Sequence, residues 1–197
     1  MTLPGGRLRS DDGFTILELV IAMMIMGVVL APLATAFFVT VGSSKTASQR
    51  VTNSDDAQLM SAFFADDVSS ADTVSKATTC GGASTVVQLA WTDGAIDRKV
   101  AYASVEDTAA ESELHVSPVY RLNRVSCASP GGTTTSTVAR SLSVLPVLQC
   151  DGGTCAPGST KPLTVSLQLD EYGGQALGQA PEAHYVFTVQ GARRVNA

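Results

Sequence analysis

The chain has 197 residues, of which 16% are charged and 45% are hydrophobic, and its net charge is −5 at pH 7. This length is enough for one medium domain with a modest core and an additional segment. The negative net charge leaves no basic footprint for nucleic acid, so no nucleic-acid partner is expected.

Residues 1–13 are short, polar and glycine-rich, and they precede a long apolar run that ends at Val41. Within it, Leu19–Ala34 carries neither a charge nor a hydroxyl group. As a helix rising ~1.5 Å per residue, residues 14–41 would span ~42 Å, which exceeds the ~30 Å of a bilayer core. A buried core helix usually shows a polar stripe, and a signal peptide has a shorter apolar region. A transmembrane helix is therefore predicted.

Glu18 is an acidic residue inside this apolar run. A carboxylate in a membrane segment costs at least ~2.5–3.5 kcal/mol on insertion scales. Two explanations remain open: the side chain reaches the membrane interface, or it meets a cation once the segment has left the lipid.

The sequence Gly13-Phe14-Thr15-Ile16-Leu17-Glu18, followed by the apolar run, resembles the class III signal of type IV prepilins and pseudopilins. The resemblance implies that a prepilin peptidase cuts after Gly13 and that the new N-terminal residue, Phe14, is N-methylated. It also implies that Glu18 pairs with the Phe14 amine of a neighbouring subunit during filament assembly. Major pilins usually carry a helix-bending proline where this chain has Thr35, whereas its own proline is Pro32, which favours a minor subunit.

The orientation follows from the same signal. Arg7 and Arg9 favour a cytoplasmic leader, although Lys45 and Arg50 beyond the span weaken the charge bias. The resemblance implies that the leader is cytoplasmic and is removed, and that the chain crosses the cytoplasmic membrane once. The C-terminal domain would then be extracytoplasmic, and the protein would be associated with a filament after assembly.

Between Lys45 and about Lys76, apolar residues recur at helical spacing. This stripe consists of Val51, Ala57, Met60, Phe64, Val68, Ala71 and Val74. A set of aspartates is assigned to the opposite, solvated side, namely Asp55, Asp56, Asp66, Asp67 and Asp72. They lack the ligand spacing of a calcium loop, so no metal is expected. One long helix is predicted from Phe14 to about Lys76, with its first half in lipid and its second half packed on a sheet.

After Cys80 the apolar period changes to two, which indicates strands. Strands are predicted at Thr85–Trp91, Arg98–Val105, Glu113–Cys127 with an interruption at Pro118, Val138–Cys150 with an interruption at Pro146, Leu163–Asp170 and Tyr185–Val189. A turn is predicted at Thr92–Gly94, loops at Pro130–Ser136 and Tyr172–Pro181, and a polar tail at Gly191–Ala197.

The order of a long helix followed by antiparallel strands predicts an α+β fold. The predicted division is a leader (1–13), a transmembrane and assembly helix (14–41), its amphipathic continuation (42–78) and an extracytoplasmic β-rich domain (79–197). The body also resembles minor pilins and the J-type pseudopilins of secretion systems, which implies a pilin-like layout. That resemblance rests on Gln58–Met60 with Asp67, on Val119–Arg124 and on Pro162–Asp170.

The chain has four cysteines, Cys80, Cys127, Cys150 and Cys155, which allow three connectivities. A Cys150–Cys155 bond is expected because the Gly-Gly pair between them lets the chain reverse tightly, and Cys80 would then pair with Cys127. Structural disulfides are favoured over a metal or redox role because the domain is expected outside the cytoplasm.

No enzymatic constellation is visible. Neither His115 nor His184 has a cysteine, aspartate or second histidine at a metal or triad spacing, and there is no G-x-S-x-G elbow. Trp91 is the single tryptophan, and packing is the simpler role for it than an adhesive contact. The prediction is therefore a protein that is not an enzyme and that carries no cofactor.

The leading hypothesis is a minor pilin or pseudopilin, a structural subunit whose partners are a prepilin peptidase, other pilin or pseudopilin subunits and the cytoplasmic membrane. One alternative is a binding or adhesion module at a filament tip that recognises a surface, DNA or a secreted protein. Another is a membrane-anchored extracytoplasmic enzyme or sensor. A type IV pilus and a secretion or competence pseudopilus both fit these residues.

Overall fold

A computed structural model describes residues 15–114, 116–156, 158, 161–173 and 184–194. The chain divides into two compact units, Met1–Val41 and Gly42–Ala197. The helices are α1 (Ile16–Ser70) and α2 (Thr108–Leu114). The strands are β1 (Thr73–Ser75), β2 (Thr85–Asp93), β3 (Ile96–Glu106), β4 (Tyr120–Ser129), β5 (Thr133–Leu142), β6 (Val147–Cys150), β7 (Gly153–Thr154), β8 (Thr164–Tyr172) and β9 (His184–Ala192).

The strands form one antiparallel sheet, and together with the long N-terminal helix they confirm the predicted α+β, pilin-like layout. Strands β1 to β5 are neighbours in chain order. Strands β5 and β6 lie along the same side of β8, where Leu142 pairs with Glu171 and Val147 pairs with Gln168. Strand β9 pairs with the other side of β8 along the whole of Thr164–Tyr172. Among the described residues, strand β9 is therefore an edge of the sheet.

Within the second unit, α1 buries one face against the sheet. Met60, Phe64 and Val68 are fully buried and form a cluster with apolar residues of the strands. The strand residues of this core are Val74, Val87, Leu89, Val100, Tyr102, Leu122, Val138, Ala139, Leu142, Leu148, Val165, Leu167, Leu169 and Val189. The helical stripe predicted from the sequence is thus largely confirmed, although Val51 is 60% exposed.

Two aspartates assigned to the solvated side of α1 are buried, and that assignment was wrong. Asp56 is 4% exposed and Asp67 is 3% exposed. Both lie three or four residues from Met60 or Phe64, so helical geometry brings them to the buried face. Burial of a carboxylate requires hydrogen-bond partners, and strands distant in sequence supply these for both residues.

Helix α1 ends at Ser70, earlier than the predicted end near Lys76. Beyond the helix, the backbone N–H of Asp72 donates to Ala90 O at 2.9 Å, and Val74 of β1 pairs with Leu89 of β2. Val74 is buried, as the helical stripe predicted, but it reaches the core from a strand. Pairing with β2 gives these residues the backbone hydrogen bonds that a longer helix would have provided.

The hairpin of β2 and β3 is confirmed, and its turn lies at Gly94 and Ala95, one residue beyond the predicted position. Gly94 has φ of 62°, a conformation that glycine adopts without steric cost. The predicted strand at Glu113–Cys127 begins too early, because β4 starts at Tyr120 and residues before it form α2. Asp107 caps α2 by accepting the Ala110 N–H at 3.2 Å. A helix this short gives almost no periodic signal.

The predicted loop at Pro130–Ser136 is also wrong in its second half, because β5 begins at Thr133. The turn is closed by a hydrogen bond from Ala128 N–H to Gly132 O, and the threonines that follow favour a strand. The predicted interruption at Pro146 is confirmed, since it separates β5 from β6. Strands β8 and β9 are confirmed, and β9 takes in Gly191 and Ala192 from the predicted tail.

Most of the predicted loop Tyr172–Pro181 lies outside the described residues, as does His115.

Candidate functional site in the N-terminal segment

Gly13 and Phe14, the predicted processing residues, lie outside the described residues, and the description begins at Thr15. Helix α1 starts at Ile16, and the backbone N–H of Glu18 donates to Thr15 Oγ1 at 3.2 Å. Thr15 is thus the N-cap, and Thr15-Ile16-Leu17-Glu18 has the T-x-x-E spacing of a capping box. The sequence analysis missed this local role of the segment, although the spacing was visible.

Glu18 occupies the first turn of α1, where the helix dipole favours a negative charge. The capping bond and the helix dipole therefore explain in part why a carboxylate is stable at this position. The cap uses the Thr15 hydroxyl, whereas the predicted pairing with a neighbouring subunit uses the Glu18 carboxylate. Substitution of Thr15 therefore separates the two roles.

The described part of the first unit is mainly an apolar stretch of α1 whose side chains are exposed. Large apolar residues from Ile16 to Val39 are exposed by between 44% and 85%. The helix is long and apolar enough to cross a membrane, and this stretch suits a single-pass anchor. The hydroxyls of Thr35 and Thr40 donate to the carbonyl oxygens of Ala31 and Ala36 within the helix. These polar groups therefore need no partner from lipid.

A buried ionic network joins the second part of α1 to the sheet. Arg124 donates through Nε and Nη2 to the two oxygens of Asp67, at 2.7 and 2.6 Å, and Tyr102 Oη donates to the same carboxylate at 2.6 Å. The Arg124 guanidinium also lies 5.0 Å from the ring centre of Phe63. Sequence reasoning missed this cluster because its members are brought together only by the packing of α1 on β3 and β4.

The electrostatics of this network are those of a structural site. The hydrogen bond to Asp67 raises the pKa of Arg124 above its usual value, so the guanidinium stays charged. Burial, followed by the nearby Asp67 charge, raises the pKa of Tyr102, so the phenol stays neutral. Each polar group already has a partner, and no nucleophile or base is left free for chemistry.

Two other buried carboxyl groups, Glu171 of β8 and Asp56 of α1, interact electrostatically. Glu171 is fully buried, and neither of its carboxylate oxygens has a hydrogen-bond partner among the described residues. Burial, and then the charge of Asp56, raises the pKa of Glu171 to about 9. Asp56 accepts a hydrogen bond from the Arg140 backbone N–H at 2.8 Å, yet burial still raises its pKa.

The remaining candidate residues have structural surroundings. The structure bonds Cys80 to Cys127 and Cys150 to Cys155, which is the connectivity expected from the sequence. His184 Nδ1 lies 2.7 Å from Asp170 Oδ1 on the surface, a partner that sequence spacing did not reveal.

Residues near the end of α1 are similarly structural. Trp91 packs against the core. Arg193, in the predicted polar tail, instead donates to three backbone carbonyl groups, those of Asp72, Lys161 and Pro162. An open cavity of about 380 Å³ borders this region and is lined mainly by polar residues, including Ser69, Ser70, Asp72, Asp93 and Arg194. In the part of the chain that the structure describes, no three His, Cys, Asp or Glu residues are grouped to hold a metal ion.

Comparison with known families identifies the N-terminal segment. Residues 8–34 match the family model of the prokaryotic N-terminal methylation motif. The chain therefore carries a type IV prepilin-like class III signal, and with its helix and sheet this supports a type IV pilin- or pseudopilin-like protein. Proteins of that kind are structural rather than enzymatic, and the motif is consistent with processing by a prepilin peptidase. A search of curated proteins and a search of solved structures each found no match to the chain.

Proposed function

We propose that this protein is a minor pilin or pseudopilin, a structural subunit inserted through α1 into a type IV pilus or a type II secretion-like filament. The observation that carries the proposal is the methylation motif at residues 8–34. In this function residues 1–13 are a cytoplasmic leader removed by a prepilin peptidase, Phe14 is the N-methylated terminus and residues 14–41 anchor the subunit. The remainder of the chain is extracytoplasmic.

Two features of the described domain support this placement. Its cysteines are paired in two disulfides and none is free among the described residues, a state typical of an oxidising compartment. The polar groups around Asp67 are satisfied within the domain, which suits a structural role for this cluster.

Assembly in this proposal depends on Glu18. When subunits leave the lipid and their helices pack together, the Phe14 amine of one subunit lies against the Glu18 carboxylate of the next. An exposed charge pair contributes only ~0–1 kcal/mol, whereas removing one partner of a pair shielded from water leaves the other charge unpaired and costs roughly 3–5 kcal/mol. Removing the carboxylate makes membrane insertion easier and recruitment into the filament harder.

We therefore expect Glu18→Ala to be expressed, inserted and cleaved, but to be depleted at least about tenfold from sheared filaments, corresponding to ~1.4 kcal/mol. Glu18→Gln should behave like Glu18→Ala, because it keeps the side-chain length and loses the charge. The amounts in membranes and filaments are measured by quantitative mass spectrometry.

Thr15→Ala is the matched control because it removes the cap of α1 and leaves the carboxylate in place. It should enter filaments at a level close to wild type. If Thr15→Ala is lost from filaments as completely as Glu18→Ala, then Glu18 acts through helix capping. If Glu18→Ala assembles normally, the pairing mechanism is wrong.

A further inference from the structure

Strand β9 has one side of its backbone without a partner in the described part of the chain. Its ladder with β8 runs without a register shift from the Thr164–Ala192 pair to the Tyr172–His184 pair. No other described strand pairs with β9. With respect to the described residues, the opposite side of this nine-residue strand is therefore an open row of backbone donors and acceptors.

The hydrogen bonds around β8 identify which residues of β9 form this row. Asp170 O and Thr164 O accept from Ser143 and Asp151, so even-numbered residues of β8 point their backbone groups toward β5 and β6. The odd-numbered residues must then face β9, in agreement with the bond from Arg193 N–H to Leu163 O. The residues of β9 that pair with them therefore face β8, and these are Tyr185, Phe187, Val189 and Gly191. The backbone groups of Val186, Thr188 and Gln190 point away from the sheet.

This edge lacks the features that proteins use to block edge-to-edge pairing, which are proline, lysine, a bulge or a very short strand. Strand β9 contains no proline and no Lys, Arg, Asp or Glu. Its Tyr185 and Val186 are 40% and 51% exposed. By contrast, β1 and β7 at the other ends of the sheet are only three and two residues long. A long, uncharged edge strand of this kind aggregates readily unless a partner covers it in the functional state of the protein.

We propose that the free edge of β9 receives an extended strand from a different pilin-like subunit, which adds to the sheet by backbone hydrogen bonding. This inference rests on the proposed function. The occupant follows from the chemistry of the edge, since a row of alternating N–H and C=O groups is matched along its length only by another extended backbone. The partner strand would meet Val186 and Thr188 on one face of the sheet and Tyr185 and Phe187 on the other, so it should alternate apolar residues.

The area of the contact favours a partner that is itself membrane-anchored. Nine residues of strand extend ~30 Å, and pairing along them buries on the order of a few hundred Å², below the roughly 1,200 Å² of a stable complex. A subunit held in the same membrane by its own helix is present at a high effective concentration and needs no larger interface. A soluble peptide would bind such an edge weakly.

A second copy of this chain fits less well. The long edge it offers is β9 itself, and pairing of two β9 strands in antiparallel orientation forms a closed two-fold dimer. A filament requires contacts between different surfaces of successive subunits, which that dimer does not provide. Strands β1 and β7 are too short to match β9 along its length.

Hydrogen exchange of the wild-type protein tests the edge without any substitution. In detergent micelles, the amides of Val186, Thr188 and Gln190 should exchange rapidly, while those of Phe187 and Val189 should be protected. In filaments, the three outward amides should slow at least about tenfold. Protection of all five amides already in detergent, or rapid exchange of the outward three in filaments, would overturn the proposal.

Proline variants then test the consequence for assembly. Thr188→Pro removes an outward N–H and no bond to β8, and proline is tolerated at such edge positions. We expect its level in filaments to fall at least about fivefold below Thr188→Ala, which keeps the N–H. Val186→Pro and Val186→Ala form a second matched pair, and the fluorescence of Trp91 reports whether each variant is folded.

The outcomes separate the two proposals. If assembly depends on Glu18 but both proline variants enter filaments as well as their alanine controls, the edge pairing is wrong and the proposed function stands. If wild-type protein is neither processed nor found in an assembly, the proposed function fails and the edge pairing with it. If Thr188→Cys forms disulfide-linked homodimers in the membrane, the occupant is a second copy and the proposal is wrong.

Discussion

Glu171 is a buried carboxyl group whose protonated form is favoured in the folded state. It is inaccessible to solvent, its oxygens have no partner among the described residues, and Asp56 adds a nearby negative charge. A charged carboxylate in such a place is costly, whereas a neutral one is cheaper. The pKa of Glu171 is accordingly raised from 4.5 to about 9.

This shift predicts a fall in stability as the pH rises. Below pH 4.5 Glu171 is protonated whether or not the chain is folded, and between 4.5 and about 9 only the folded state keeps the proton. The unfolded state then binds fewer protons, so the free energy of unfolding decreases with pH across this window. The raised pKa of Asp56 acts in the same direction.

We expect Glu171→Gln to raise the free energy of unfolding at pH 8 by more than ~1 kcal/mol and to flatten its pH dependence, because one pKa unit corresponds to ~1.4 kcal/mol. Urea unfolding of the full chain in detergent, followed by Trp91 fluorescence between pH 5 and pH 9, measures this. Glu106→Gln, at an exposed position, should leave the pH profile unchanged. A wild-type profile that rises from pH 5 to pH 8 would contradict the assignment.

At the scale of the elements, packing covers parts of both faces of the sheet. On the inner side Val68 of α1 lies so close to Gly191 of β9 that a Cβ on the glycine would fall 2.5 Å from Val68 Cβ. On the outer side, Gly81 lies against Ala101 of β3, and the Cys80–Cys127 bond fastens this segment to β4. The outer layer therefore depends on a disulfide where the inner layer depends on helix packing.

The two disulfides should differ in their contribution to stability. Cys80 and Cys127 are separated by 47 residues and Cys150 and Cys155 by 5. In the chain-entropy model these loops correspond to ~4 and ~2 kcal/mol. We expect the double variant Cys80→Ala/Cys127→Ala to lose about twice as much free energy of unfolding as Cys150→Ala/Cys155→Ala, measured by urea titration.

Peptide mapping of the wild-type protein under non-reducing conditions is the control for this comparison. It should recover both bonds from protein isolated from the envelope. Four free thiols would refute the disulfide assignment, a crossed pairing would refute the connectivity, and equal losses in the two variants would refute the loop-length argument.

At the scale of the whole molecule, the matched N-terminal motif is consistent with processing by a prepilin peptidase. The proposed cleavage after Gly13 would need a small residue there, because a larger side chain would crowd the approach of the peptidase to the backbone. We expect Gly13→Val to remain in the membrane as the full-length precursor, whereas wild-type protein should begin with N-methylated Phe14. Mass spectrometry of the intact proteins distinguishes these species.

Gly27→Val is the matched control for processing, because a side chain at Gly27 meets no atom within 4 Å. It should be cleaved like wild type. An unmodified Met1 terminus on wild-type protein from cells that express the peptidase would exclude the processing step.

The sequence by itself was sufficient for the apolar anchor, the class III signal, the α+β order and most strands, because these depend on local composition and on periods of two or 3.6 residues. It also placed Met60, Phe64 and Val68 in the core. The T-x-x-E cap at Thr15 was equally local and could have been predicted.

Only the tertiary structure decided where α1 ends, since pairing of Thr73–Ser75 with β2 outweighs the helical pattern. It likewise decided that Asp56 and Asp67 are buried, because a helical aspartate enters a core only when strands far along the chain supply its partners, here Arg140 for one and Tyr102 with Arg124 for the other. The open edge at β9 has the same origin. Its sequence predicts a strand, but the number of neighbours a strand has is a property of the sheet and is not encoded in the alternation of its residues.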